Sequence, residues 1–307
     1  HKEIEGYSLN RDHYDKALAD SAEAAGAVMM NYTKALGVIK EDGVVVGVRA
    51  VRDGEEFEIR APLTVGADGH ASIIRRSAGL TRYFSDYGVT AQWTITGLDL
   101  EEPGASEIII GSVVPGAYVW VFPKSKTVAN VGLGIRTDRS RPAIQVLDDY
   151  INSDPRFKGK PRERKTGGIC PSTGTLDKIV LDGMILVGDS AGMVIPLSGA
   201  GIHTAIVAGK IAGKVAAEAV AEGDVSAERL LVYHRRFEAE WGKNLADSKK
   251  MLALADKLTD AEMNKVADMI RQEDILDLVN GRNVIRRIIG IALRDPVFSL
   301  KFLTKLL

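Results

Sequence analysis

A chain of 307 residues, 45% hydrophobic and 26% charged, is long enough for two domains or one large α/β domain around a substantial core. Its 40 Lys and Arg against 41 Asp and Glu give a formal charge of −1, which leaves no basic footprint for a nucleic-acid partner. Cys170 is the only cysteine, so an intrachain disulfide and a four-cysteine zinc or iron–sulfur site are excluded; no metal is expected, and a reducing cytoplasm fits.

Residues 11–27 place Tyr14, Leu18 and Ala22 four apart before Gly26, the pattern of an amphipathic helix with a glycine stop. Three strand-like runs follow, 35–41, 44–52 and 55–69, separated by Asp42-Gly43 and Asp53-Gly54. Such pairs are strong hairpin signals, so the runs predict an antiparallel meander. Residues 83–136 are again strand-rich, and a helix is predicted over 142–153. The glycine-rich stretch 166–183 leads into an apolar strand from Met184, a glycine loop and an Ala-rich helix over 201–222. The rest reads as helical: 226–255, 259–280 and a final piece broken by Pro296. This order predicts an α+β fold with one α/β layer.

The start, HKEIEGYSLNRD, lacks the apolar core of a signal peptide. The uncharged window from Ser190 to Gly209 could span a bilayer by length alone. Pro196, Ser198, His203 and four glycines within it make it a loop followed by a buried helix instead.

Two segments point to cofactor chemistry. In the one starting at Met184, a buried strand ends at Gly188-Asp189 and a Pro/Gly loop feeds a helix. Asp189 there can accept hydrogen bonds from polyol hydroxyls, while Gly199, Ala200 and Gly201 let backbone N–H groups approach a ligand. The helix N-terminus that follows favours negative charge. A strand–turn–helix packed on glycines, with Asp189 as a cap, is the structural alternative. In the other, Leu63–Gly79, a strand ends at Ala67, Asp68-Gly69 turns, and a short helix carries Arg75 and Arg76. Asp68 would tie down that turn beneath a dinucleotide, or be a plain turn aspartate.

Taken together, these segments resemble the FAD-dependent group that includes para-hydroxybenzoate hydroxylase, and within it the geranylgeranyl reductase family. Gly66–Gly79 fits the form GADGxxSxxRxxxG, and Leu186–Ala205 fits LVGDAAxxxxPxxGxGIxxA, with Ser190 in place of the usual alanine. Arg11 and Asp15 fit RxxFDxxL, with Tyr14 for the phenylalanine. The resemblance implies FAD as cofactor, with Arg11 in contact with it and Ala35 offering backbone near the adenine. It further implies Asp68, Gly69, Gly188 and Asp189 around the dinucleotide, with Asp189 on the ribityl chain. Pro196, Gly199, Ala200, Gly201 and Ile202 would border the isoalloxazine. It also implies that the glycine-rich phosphate loop, the ribose-binding acid and a cysteine motif of the family precede His1. This chain is therefore expected to hold only part of the FAD site and to bind FAD poorly alone.

Pro115–Pro123, PGAYVWVFP, is similar to the family's substrate motif PxxYxWxFP at every specified position. In a strand, Tyr118, Trp120 and Phe122 share one face and build an apolar wall suited to an unsaturated chain. A buried aromatic strand that merely stabilises its sheet would look the same. From the resemblance, Pro115, Tyr118, Trp120, Phe122, Pro123, Gly167 and Gly168 are expected at the substrate. Cys170 is a candidate proton donor against the reading of a small buried hydrophobe. For His203, in the first turn of the cofactor-facing helix, capping or packing is expected rather than proton transfer. The basic run 156–165 reads as a solvated loop, with lipid head groups as the alternative. The amphipathic stretches 283–293 and 297–307 either lie on a membrane or close a substrate tunnel.

The resemblance divides the chain into a partial FAD-binding domain (1–81), an antiparallel substrate-binding sheet (82–165), the rest of the FAD-binding domain (166–224) and a helical region (225–307). It implies reduction of the C=C bonds of geranylgeranyl groups on archaeal-type ether lipids, with NAD(P)H or ferredoxin as electron donor. The location implied is cytoplasmic, peripheral at the membrane. A flavin monooxygenase of the same architecture would need a polar pocket instead of the aromatic wall. An electron carrier to quinone would need an iron–sulfur centre that one cysteine cannot hold. An isoprenoid-binding relative without flavin chemistry is the third alternative.

Overall fold

The computed structural model describes residues 9–81, 83–137 and 140–295. It opens with α1 (Arg11–Ala24), beyond which Gly26 takes φ +99°. The period-four pattern marks a helix here but not a buried face: no α1 residue is buried, and Leu18 is 51% exposed. The meander is present as β1 (Lys34–Glu41), β2 (Val44–Arg52) and β3 (Glu55–Arg60), paired in that order. Asp42, Gly43, Asp53 and Gly54 all have positive φ, the mirror-image turn whose twist matches the two strands it joins.

The third predicted run is broken. Pro62 cannot donate to a ladder, and beyond it β4 (Thr64–Gly66) leaves the meander for another sheet. The short α2 (Ile73–Ser77) follows, capped by the Ser72 hydroxyl.

A five-stranded antiparallel sheet comes next. It contains β5 (Tyr87–Thr96), β6 (Glu107–Ile110), β7 (Tyr118–Ser125), β8 (Val128–Ile135) and, after α3 (Ala143–Ser153), β9 (Arg162–Pro171). Its order is β6-β7-β8-β5-β9. β9 is unbroken through the boundary expected at 165/166, because Lys165, Thr166 and Gly167 pair with Trp93, Gln92 and Ala91. Residues 162–165 of the basic run 156–165 are thus in an edge strand rather than a loop. On one sheet face Val119, Val121, Val131 and Leu133 are fully buried against Leu147 and Ile151 of α3. Each such side chain contributes about 1.5–3 kcal/mol. The opposite face carries the aromatic residues.

β10 (Val180–Leu181) and β11 (Met184–Leu186) complete a sheet in the order β10-β11-β4, with β11 parallel to β4. A 3-10 turn, Gly188–Ala191, leads to the loop before α4 (Ile202–Glu222), which stops at left-handed Gly223. Beyond it lie α5 (Ala227–Phe237) and α6 (Lys243–Ala255), made continuous by a π-helical segment at Glu238–Gly242. The stretch expected as one helix over 259–280 is two, α7 (Asp260–Met269) and α8 (Gln272–Val279), because Ile270 and Arg271 turn extended.

Last among the described residues is α9 (Val284–Ala292). Its amphipathic face is spent inside the protein, where Val284 and Ala292 pack with Met251 and Leu254 of α6. The predicted break at Pro296 and the stretch 297–307 lie outside the described residues. No described helix is long and apolar enough to cross a membrane.

Candidate active site

The two turn segments meet through parallel pairing of β4 with β11. Val187 N–H donates to the Gly66 carbonyl (3.0 Å), and so does the Ser190 hydroxyl (2.7 Å). A more consequential link is Arg75, which is only 1% exposed. Its guanidinium donates to the carbonyls of Ser190 (2.8 Å), His70 (2.8 Å) and Thr81 (3.0 Å), and it stands 4.5 Å from the Phe84 ring centre. Burial pulls its pKa down, with the Asp68 charge opposing. Asp68 itself turns inward, accepting from the Ser72 hydroxyl (2.5 Å) and Ile74 N–H (3.1 Å) around left-handed Gly69. It ties the turn, and its oxygens are engaged there.

Asp189 differs. It lies in the 3-10 turn past β11 rather than on the strand, half-buried; its carbonyl accepts from Gly192 N–H (3.1 Å), but its carboxylate accepts no hydrogen bond from the described residues. Burial raises its pKa, while His70 and Arg11 oppose the rise. Beside it α4 begins at Gly201 with no side chain capping its first turn. N–H groups there are free to meet a ligand. A Cβ on Gly201 would stand 3.3 Å from Asp189 Oδ1 and 3.3 Å from Val194, so glycine is what lets backbone and carboxylate lie side by side.

The loop between them is moored on several sides. Gly199 N–H donates to Ile195 (2.8 Å), Ile195 N–H to Ala200 (2.9 Å), and Met193 N–H to Gly188 (3.0 Å). Leu197 N–H reaches Ser248 of α6 (3.0 Å), and the Ser198 hydroxyl reaches Val279 of α8 (2.9 Å). Arg11 is exposed and holds Asp15 with both arms (2.9 and 2.8 Å). Ala35 pairs with Ala50 in the meander and packs on the apolar core around β11 and α4, with no bond to the Asp189 segment among the described residues.

Above this loop lies a cavity of about 1030 Å³. Its floor is the aromatic face of β7. Tyr118 and Trp120 meet edge to face at 5.9 Å, Trp120 and Phe122 stack at 6.3 Å, and Pro115 stands at the near end. The Tyr118 hydroxyl donates to the Ser198 carbonyl (2.6 Å), which joins the wall to the glycine loop. Pro196, Gly199 and Cys170 also line the cavity. Pro123 does not, since it falls one residue out of phase with the aromatics, and Gly167 and Gly168 lie on the exposed edge strand β9.

The roof consists of helices α6 to α9, with Leu252, Met263, Leu278 and Ile288 facing inward. Two polar ties hold it to the sheet. Arg136, at the end of β8, donates to Asp86 (2.6 Å), to Asp256 beyond α6 and to the Gly116 carbonyl (3.1 Å). Asp260, first in α7, accepts from Ser112 N–H (2.8 Å) and hydroxyl (2.6 Å). The reading of 283–293 as a tunnel-closing stretch named α9 as one alternative, but sequence reasoning missed the rest of the roof and both ties. Helical periodicity marked α6–α9, but nothing in it says which sheet they cover.

Burial pushes the pKa of the Tyr118 phenol to about 12, with the neighbouring Cys170 adding to it. The Cys170 thiol is likewise pushed up to about 12, by burial and then by Asp189. Both stay protonated at neutral pH. At pH 8 Cys170 is therefore expected to react with iodoacetamide about a hundredfold or more slowly than free cysteine, accelerating only toward pH 12. Intact-mass kinetics would check this, and equal rates would show that the thiol is not held protonated. His203 lies edge-on to Trp241 at 4.6 Å, and burial, then Arg282, lowers its pKa. Its ring packs against that indole.

The fold is that of FAD-dependent oxidoreductases and halogenases. A flavin-dependent brominase is 18–19% identical, with a TM-score of 0.69 over 90% of this chain and 71% of its own, a likeness of fold alone. The family model for the geranylgeranyl reductase catalytic domain matches residues 86–168. A digeranylgeranylglycerophospholipid reductase 2 from Methanopyrus kandleri is 37% identical, covering 95% of this chain and 76% of that relative. A digeranylgeranylglycerophospholipid reductase from Methanosarcina acetivorans is 38% identical over 87% of this chain and 67% of its own. The crystal structure of a geranylgeranyl bacteriochlorophyll reductase-like protein from Thermoplasma acidophilum superposes with a TM-score of 0.86, at 28% identity, over 100% of this chain and 78% of that one. The chain belongs to the geranylgeranyl reductase family.

Proposed function

We propose that the protein reduces the C=C bonds of geranylgeranyl groups on archaeal-type ether lipids, with FAD as its cofactor. One observation carries the reading. The aromatic strand floors a long apolar cavity, and Tyr118 at its end is bonded to the glycine loop beside Asp189.

The residues present fit a flavin. Asp189 has free carboxylate oxygens for ribityl hydroxyls, and the glycines at 199 and 201 put no side chain between the backbone and a flat ring. The uncapped N-terminus of α4 favours the negative charge of a reduced ring by ~0.3–1 kcal/mol. Bound and reduced, the flavin supplies a hydride to one alkene carbon. The other carbon takes a proton, and because an isolated alkene is a poor hydride acceptor, protonation runs with or ahead of that transfer. Tyr118 and Cys170 each keep an acidic hydrogen at neutral pH at the flavin end of the cavity. The wall and roof align the chain and exclude water. NAD(P)H or ferredoxin is the electron donor in this reading, and the protein works in the cytoplasm against the membrane surface.

The test supplies the full-length protein with reduced FAD and a geranylgeranyl glycerolipid and follows lipid mass. A gain of two hydrogens per reduced bond is expected. Trp120→Ala should raise KM about ten- to hundredfold, from the apolar contact it removes. Unchanged lipid would end the proposal, and an oxygen-dependent hydroxylated product would assign a monooxygenase instead.

A further inference from the structure

We propose that Gln92 is a positioning residue, holding the Trp120 indole flat across the sheet so that its face forms the cavity floor. The function of that floor rests on the isoprenoid reading above; the orientation of the ring does not.

Three strands contribute to one row of the sheet. Trp120 on β7 stands opposite Gly132 on β8, and Gly132 stands opposite Gln92 on β5. A Cβ at Gly132 would run into the Trp120 ring, so the indole crosses the central strand through the space that this glycine leaves. On the far side its Nε1–H donates to Gln92 Oε1 (2.9 Å). The Gln92 amide is fixed in turn, with Nε2 donating to Thr166 Oγ1 on β9 (3.2 Å). One amide therefore ties the ring of β7 to the two strands beyond the centre.

Gln92 and Trp120 both line the cavity. Neighbouring rows are built differently. Thr94 bonds Asn130 (2.9 Å) opposite Phe122, and Thr90 bonds the Gly168 carbonyl (3.2 Å), so neither serves an aromatic ring. Among the described residues, Gln92 is the acceptor that the indole N–H meets. Without it that polar N–H would face an apolar cavity, an unfavourable state that turning the ring relieves. The plane presented to a bound chain would then be lost although every wall residue remained.

The experiment uses the whole chain with 15N-labelled tryptophan, the Trp120 indole resonance being assigned by its loss in Trp120→Phe. Gln92→Leu is expected to shift that resonance toward the position of a free indole N–H, and Gln92→Glu, which still accepts, to leave it bonded. Titration with geranylgeraniol is expected to give an affinity about tenfold weaker in Gln92→Leu and near normal in Gln92→Glu. In a Trp120→Phe background, Gln92→Leu should add less than twofold. A Trp120 resonance unmoved by Gln92→Leu, or an equal tenfold loss in both backgrounds, would overturn the proposal. Should the unaltered protein fail to bind geranylgeraniol, the isoprenoid reading falls and the indole resonance alone still decides the role of Gln92.

Discussion

Arg75→Met is expected to lower stability toward urea by about 3–5 kcal/mol, the largest loss foreseen for any single substitution here. Arg75 is 1% exposed and gives its hydrogen bonds to three backbone carbonyls rather than to a carboxylate. Methionine fills similar space but leaves the carbonyls of His70, Thr81 and Ser190 without those donors. One of the three belongs to the 3-10 turn holding Asp189, so the damage should reach the cofactor side, seen as weaker retention of added FAD. Arg76→Met is the control. Arg76 is only half-buried, bonds a single carbonyl at 3.2 Å, and should lose no more than about 1 kcal/mol. Equal midpoints for the two variants in urea denaturation would refute the clamp.

Arg136→Met is expected to cost about 2–4 kcal/mol and to loosen the roof of the cavity. The Arg136 side chain is 9% exposed between Asp86 and Asp256, whose own side chains are 32% and 26% exposed, so partial hydration of the stranded carboxylates reduces the cost below that of a fully buried pair. Asp256 and Asp260 flank the connection from α6 to α7, and the Ser112–Asp260 contact is a second polar tie there. Amide hydrogen exchange in α7 should accelerate markedly more than in α3, on the other sheet face. Uniform acceleration across both helices would mean that Arg136 supports the fold as a whole rather than the roof.

The features legible in the sequence were those written in short-range code. The Asp-Gly pairs fixed both hairpin turns, because only a few residue types tolerate the positive φ that such turns need. The alternation through Tyr118, Trp120 and Phe122 put three rings on one face. The same alternation should have excluded Pro123, which the motif includes but the strand turns away from the cavity. Gly167 and Gly168 lie on the exposed part of β9, outside the cavity lining, whereas Cys170 on the same strand belongs to it. Contacts between distant segments carried no local signal. Arg75 with Ser190 spans 115 residues and Arg136 with Asp256 spans 120, and no periodicity encodes either pairing.

The stretch from Pro196 to Gly199 borders the hydrocarbon compartment, and the chain passes directly from it to Gly201, whose backbone lies against Asp189. It is anchored at once to the sheet through Tyr118, to α6 through Ser248 and to α8 through Val279. A guest that pushes sheet and helices apart must therefore drag this segment with it, so filling of the hydrocarbon compartment is felt at the backbone beside Asp189.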